Sequence, residues 1–200
     1  MARRARYAGV QILLHWTMAA ALLTLLGFGL AIGRMGFGDT VLGLGLFEAY
    51  QVHKSVGLTL GLLALARLLF RIVWPPPALP RDMPRPTRVA AAVNHYALYC
   101  LMIAMPAVGW LMVSASPLRV PTIVFGLVEL PHLTAPDEAL ERAMMRLHGA
   151  LAMLFAVLIA VHVIAALKHA VVDRDGVLDR MLPWARRGSA RRAFGRSGAE

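Results

Sequence analysis

Imidazole is the side chain through which this chain could do chemistry. Three of its seven histidines, His148, His162 and His169, lie in one apolar stretch, RLHGALAMLFAVLIAVHVIAALKH, from Arg146 to His169. An α-helix turns about 100° and rises about 1.5 Å per residue, so the step from His148 to His162 makes four turns less about 40° and spans about 21 Å. The further step to His169 makes two turns less about 20°, which keeps all three rings in one stripe. Polar groups inside a membrane span are costly and seldom face lipid. The stripe is therefore expected to point into a bundle of helices, where a buried cofactor would sit.

Composition and hydropathy give the elements that must carry these rings. The chain has 200 residues, 58% of them hydrophobic, with a mean hydropathy of +0.62. The apolar residues come in runs rather than as an amphipathic stripe. About 20 apolar residues cross the hydrocarbon core, and four runs qualify: roughly 10–32, 52–73, 91–113 and 147–172. In lipid the backbone must satisfy its own hydrogen bonds, so all four are read as helices. The expected fold is an all-α membrane protein, a four-transmembrane-helix bundle formed by residues 1–182. Residues 183–200, rich in Arg, Gly and Ser, are read as a disordered cytoplasmic tail.

The net charge of +10 suggests nucleic acid less than its placement suggests a membrane. Fourteen Lys and Arg lie before the first run, between the second and third, and from Lys168 onward, against five (Arg34, Lys54, Arg119, Arg142, Arg146) in the other two loops and their flanks. Most acidic residues, including Glu48, Glu129 and Asp137, lie on the poorer side. By the positive-inside rule both termini are cytoplasmic, and the basic side meets anionic lipid rather than nucleic acid. MARRAR before an apolar run has the outline of a signal peptide. The run is too long, carries Gln11 and His15, and lacks a small-residue cleavage site, so it is kept as the first helix. A single cysteine, Cys100, excludes a disulfide framework and a C-x-x-C-H haem attachment, and is read as packing.

Punctuation agrees with this layout. Trp74-Pro75-Pro76-Pro77 ends the second helix, and the proline-rich stretch to Pro86 makes a stiff connection. Pro106 and Gly109 are expected to kink the third helix. The loop between about 113 and 147 is the longest and could lay a short segment on the outer surface.

Alternating helix direction sorts the histidines into two depths. His53 and His148 start the second and fourth helices and form an outer pair; His15, His95, His162 and His169 form an inner set; His132 lies in a loop and reads as plain surface. Two imidazoles from different helices at one depth suit axial ligation of a haem iron. Which of the inner four would ligate is not decided by helix geometry. Gly57 and Gly61 follow His53 at i+4 steps and clear one flank of the second helix for a flat ring or a close neighbouring helix. Arg67, on the His53 face one tier deeper, could pair with a haem propionate, whereas Arg71 is better placed to snorkel to headgroups. A zinc site would want carboxylates or cysteines beside the histidines, and the apolar runs contain no Asp or Glu.

These motifs, RYAGVQILLHW, HKSVGLTLGLLALARLLFRIVWPPP, HYALYCLMIAMPAVGWLM, HGALAMLFAVLIAVHVIAALKH and LDRMLP, together resemble the bacterial cytochrome b561 group. These are four-helix, dihaem membrane proteins related to the cytochrome b subunits of nickel-iron hydrogenases. The resemblance covers nearly the whole chain. It implies that His15 and His162 hold a cytoplasmic-side haem b, that His53 and His148 hold an outer haem b, and that His95 and His169, with Arg81 nearby, line a quinone site. The implied function is transmembrane electron transfer between a periplasmic donor and the quinone pool of a bacterial inner membrane. In length and short loops the chain looks like the branch that oxidises superoxide and reduces ubiquinone. A cytochrome b subunit serving a periplasmic dehydrogenase or hydrogenase is the chief alternative, and a histidine-lined metal transporter is one from another class.

Overall fold

The structure, a computed structural model, describes residues 6–80 and 83–184. Its four long helices are α1 (Gly9–Ile32), α2 (Leu46–Val73), α3 (Arg85–Ala115) and α4 (Glu138–Lys168), and each is long and apolar enough to cross a membrane. A small antiparallel hairpin, β1 (Thr122–Val124) with β2 (Val128–Leu130), interrupts the α3–α4 loop. α4 runs on through one π-helical turn at His169–Asp173, and a 3-10 turn follows at Leu178–Arg180. The fold class is thus all-α, as hydropathy requires. Its outward faces are apolar: Leu13, Leu23, Leu62, Ile72 and Ile164 are all more than half exposed. Lipid tails solvate such side chains, so the helices associate by close packing and polar contacts instead of by burying apolar area.

The helices are longer than the apolar runs that mark them. α2 begins at Leu46 rather than near 52, and α4 at Glu138 rather than near 147. Hydrophobic windows register only what hydrocarbon tolerates, while a cap decides where a helix starts. Asp137 supplies that cap, its Oδ1 accepting from the amides of Ala139 at 2.9 Å and Leu140 at 3.0 Å. Glu138 and Glu141 in the first turn and Lys168 in the last complement the helix dipole.

The chain divides into two compact units, one of Met1–Thr17, Ala66–Leu98 and Val157–Glu200, the other of Met18–Leu65 and Tyr99–Ala156. All four helices contribute to both. In the first unit, buried Gln11 is satisfied at both ends of its amide: Oε1 accepts from the Ala8 amide at 3.1 Å, and Nε2 donates to the Trp74 carbonyl at 3.0 Å. One polar side chain thereby ties the start of α1 to the end of α2. The segment after the 3-10 turn folds back, with Trp16 Nε1 donating to the Met181 carbonyl at 2.8 Å, Arg6 to the Leu182 carbonyl and Arg180 to the Ala78 carbonyl. The LDRMLP motif is therefore ordered. Most of the expected tail, residues 185–200, lies outside the described residues.

In the second unit, Pro106 sits inside α3 and its ring lies against α2: a Cβ at Gly61 would come 2.8 Å from Pro106 Cγ and 3.5 Å from the Met102 carbonyl. Proline has no N–H, so that carbonyl lacks its helical donor. Of the two roles open to Gly61, close helix packing is the observed one. Cys100, expected to pack, is exposed on α3; a lone thiol behaves as a small apolar group and tolerates lipid. The outer loop is held by backbone acceptors, with Arg119 donating to the carbonyls of Ser114 and Thr134 at 3.1 and 2.9 Å, and Trp110 Nε1 to that of Pro131 at 3.0 Å.

The hairpin turns through Phe125 and Gly126, both at positive φ, and is latched to α2. Gln51 Nε2 donates to the Pro121 carbonyl at 2.8 Å while its Oε1 accepts from the Ile123 amide at 3.0 Å; Lys54 Nζ also reaches the Pro121 carbonyl, at 2.7 Å; buried Ser55 accepts from the Phe125 amide at 2.9 Å. An amide that loses such a partner without gaining water costs about 1–3 kcal/mol. Gln51→Ala is therefore expected to lower stability by about 2 kcal/mol and to speed hydrogen exchange at the Ile123 amide, as thermal unfolding and exchange mass spectrometry would register.

Candidate functional site

Each long helix carries two positions 14 residues apart that fall on one stripe: His15 and Gly29 on α1, His53 and Arg67 on α2, His95 and Gly109 on α3, His148 and His162 on α4. Sorted by unit, the second contains Gly29, His53, Gly109 and His148, and the first contains His15, Arg67, His95 and His162. Every helix gives one residue to each group.

In the second unit the His53 and His148 rings face one another with centroids 6.5 Å apart and planes at 65°. Both Nδ1 atoms are buried, and that of His53 has no hydrogen-bond partner among the described residues. A glycine stands beside each ring. A Cβ at Gly29 would lie 2.9 Å from His53 Cε1, and one at Gly109 would lie 3.3 Å from His148 Cε1. Gly57, by contrast, has only an ordinary neighbour, Leu25, at 3.8 Å from the position of its missing Cβ.

In the first unit two imidazoles gather around His162: His15, with its centroid at 6.1 Å and planes at 72°, and His95, at 5.2 Å and 74°. His15 and His162 are half-buried, while His95 is exposed. Arg67 Nη1 donates to His15 Nδ1 at 2.9 Å. The arginine expected to meet a propionate thus rests on an imidazole.

His169 stands apart from these ring contacts. Its Nδ1 lies 2.7 Å from Asp175 Oδ2 and 3.2 Å from Asp173 Oδ2, and Lys168 Nζ binds Asp173 at 2.6 Å. Carboxylates only accept at neutral pH, so Nδ1 is the donor. The π turn ends at Arg174 in the left-handed region (φ 50°, ψ 35°), which folds the chain so that Asp175 returns to His169. Arg81 lies outside the described residues, and His132 is half-buried in the outer loop.

Sequence reasoning missed Gly29, Asp173 and Asp175, and read Gly109 only as a kink. The 14-residue recurrence was a usable signal for both glycines, since it links them to His15 and His95. The two aspartates lay just beyond the last apolar run, where attention to hydrophobic spans stops.

The donor sets fit haem. Imidazoles from different helices approach in pairs, with no carboxylate or thiolate among them, and in the second unit the buried Nδ1 of His53 lacks a protein partner among the described residues. The profile of the prokaryotic cytochrome b561 family matches residues 6–184. The chain belongs to that family. It is 34% identical over 179 residues to cytochrome b561 homolog 2 of Escherichia coli K12, an alignment covering 88% of this chain and 91% of the relative. It is also 30% identical to the probable superoxide oxidase CybB of Yersinia pestis, covering 89% and 96%, and 26% identical to cytochrome b561 homolog 1 of E. coli K12, covering 89% and 97%. The family membership and the four spans make this a bacterial multi-pass membrane cytochrome that binds haem b and transfers electrons across the membrane.

The Arg67 guanidinium, close to the His15 ring, disfavours further positive charge nearby. It would therefore favour the reduced over the oxidised state of a haem bound beside it. At separations of several ångströms and the effective dielectric of a partly buried site, one charge is worth on the order of 1–2 kcal/mol. Arg67→Leu is expected to lower the midpoint potential of one haem component by tens of millivolts and leave the other unmoved, as read by redox titration.

Proposed function

We propose that the chain holds two haems b, one between His53 and His148 and one between His15 and His162, and moves electrons from a periplasmic donor to quinone at the cytoplasmic side. The single observation that carries this reading is the matched spacing of the two imidazole pairs, 6.5 and 6.1 Å between centroids. A metal held between two imidazole nitrogens at about 2 Å from each would set the ring centroids about 6 Å apart. The His95–His162 separation of 5.2 Å is short for that arrangement, and exposed His95 suits the lining of a quinone site better. Haem b held there would supply a one-electron carrier.

The remaining roles belong to this chain's own residues. Were His15 Nε2 to hold a metal, its Nδ1 would keep the ring proton and could no longer accept from Arg67, which would leave the nearby guanidinium free to pair with a carboxylate such as a haem propionate. His169, oriented by Asp175 and Asp173, is positioned to hydrogen-bond a quinone carbonyl and pass on a cytoplasmic proton; Arg81 belongs to the same proposed site. The charge bias that puts both termini in the cytoplasm gives this end its direction. Residues 1–182 act as one transmembrane cytochrome domain.

For the donor, we favour superoxide. One relative is named a probable superoxide oxidase, and the cations Lys54 on α2 and Arg146 on α4 are without an ion-pair partner among the described residues. Lys54 is bound to a neutral carbonyl, so its charge remains available to attract an anion. Two superoxide anions each give up one electron and leave as dioxygen; one ubiquinone takes the two electrons and two cytoplasmic protons and leaves as ubiquinol.

A pyridine haemochrome assay is expected to give two haems b per chain. His53→Ala and His148→Ala should remove the same low-spin component, and His15→Ala and His162→Ala the other; a yield of one haem per wild-type chain would sink the dihaem reading. A superoxide pulse, with ubiquinone present, should reduce the haems quickly and less so at high salt. His169→Ala should keep both haems yet reoxidise them more slowly, by roughly the hundredfold to ten-thousandfold associated with a lost general acid. Haems that stay oxidised after the pulse would instead point to a periplasmic dehydrogenase as donor.

A further inference from the structure

We infer that Gly29 and Gly109 are positioning residues that set the angle of the His53 and His148 rings, and so tune the haem those rings are proposed to hold. The inference rests on that ligand assignment. Its basis is geometric. α1 lends a glycine to the ring carried by α2, and α3 lends one to the ring carried by α4, so the same device appears twice around one imidazole pair. At Gly29 an added methyl would meet His53 Cε1 at 2.9 Å, Nδ1 at 3.5 Å and Nε2 at 3.9 Å. It would thus press on the ring edge between the two nitrogens, closer than carbon atoms in contact normally approach. At Gly109 the added methyl would meet His148 Cε1 at 3.3 Å and Nδ1 at 3.6 Å, again on that edge.

Such a contact has few ways to relax. The imidazole is a rigid ring on a single carbon, and χ angles far from their wells are costly. A push at Cε1 therefore rotates the nitrogen that would face the metal. The present ring–ring angle of 65° is held partly by the absence of two side chains. Helix packing explains neither glycine as well as it explains Gly61, whose missing Cβ faces a proline ring and a backbone carbonyl of the neighbouring helix. Beside Gly109 only the imidazole comes within 4 Å of that position, and beside Gly29 the three nearest atoms all belong to the imidazole. Two other glycines serve as controls: a Cβ at Gly27, on α1 with Gly29, or at Gly149, on α4 with His148, meets nothing within 4 Å beyond its own chain neighbours.

The test is low-spin ferric EPR on the full-length haem-loaded protein in membranes or detergent, with haem counted per chain. Gly27→Ala and Gly149→Ala report the cost of an added methyl in a helix alone and are expected to keep both wild-type signals. Gly29→Ala should shift the signal that His53→Ala removes, or reduce haem from two per chain toward one, while the signal that His15→Ala removes stays put and certifies the fold. Gly109→Ala, with its looser contact, should shift the same signal by less. If both variants keep that signal unmoved, the inference is overturned while the ligand assignment stands. If Gly29→Ala yields no folded protein, Gly109→Ala decides alone by the same criterion. A His53→Ala protein that retains both signals would overturn the ligand assignment itself and the inference with it.

Discussion

A helix in hydrocarbon can present polar groups only where another element meets them, and this constraint governs the placement of nearly every functional side chain here. Over 14 residues an α-helix drifts by only about 40°, so a stripe can serve two positions about 21 Å apart along one helix without exposing either to lipid. All four helices use that step. The four positions of the second unit are two imidazoles and two glycines; those of the first unit are three imidazoles and a guanidinium. Large rings are balanced by missing side chains in one group and by a cation in the other. A single geometric repeat thus yields two chemically different sites.

Outside the stripes, polar groups are tolerated because they are satisfied locally. Gln11 serves as cap and crosslink at once. Asp137 closes the start of α4, and His169 is enclosed by carboxylates at its end. Each lies near a helix terminus, where backbone groups are free and a short side chain can reach them. The middle of each span is left to apolar packing, with glycine and proline used where α2 and α3 approach closely.

Much of this was legible in the sequence. Four apolar runs fixed the class, the charge bias suggested a direction, and motifs around His15, His53, His95 and His148 carried the family resemblance that the comparisons bear out. Less legible was whatever depends on two helices at once. Nothing in the segment GFGLAIG says that Gly29 will stand against a histidine of another helix, and Arg67 reads equally well as a partner for a propionate or for an imidazole. Hydropathy was also blind to the outer hairpin, whose short strands are specified by a latch on α2 rather than by their own pattern. Asp175 belongs to the same category: its approach to His169 follows from a π turn and a left-handed residue, neither of which has a strong sequence signature.

The hairpin latch bears on how the outer surface could be re-engineered or diverge. Gln51, Lys54 and Ser55 grip the β segment from the same turns of α2 that carry His53. The loop is thus an extension of the helix that bears a proposed ligand. Swapping the stretch from Pro121 to Leu130 alone, in order to graft a new docking surface, would leave three polar side chains on α2 without their acceptors and donors, directly beside that histidine. A graft that respects the molecule's own joints would carry positions 51, 54 and 55 along with the loop, treating the recognition surface and the top of α2 as one exchangeable module.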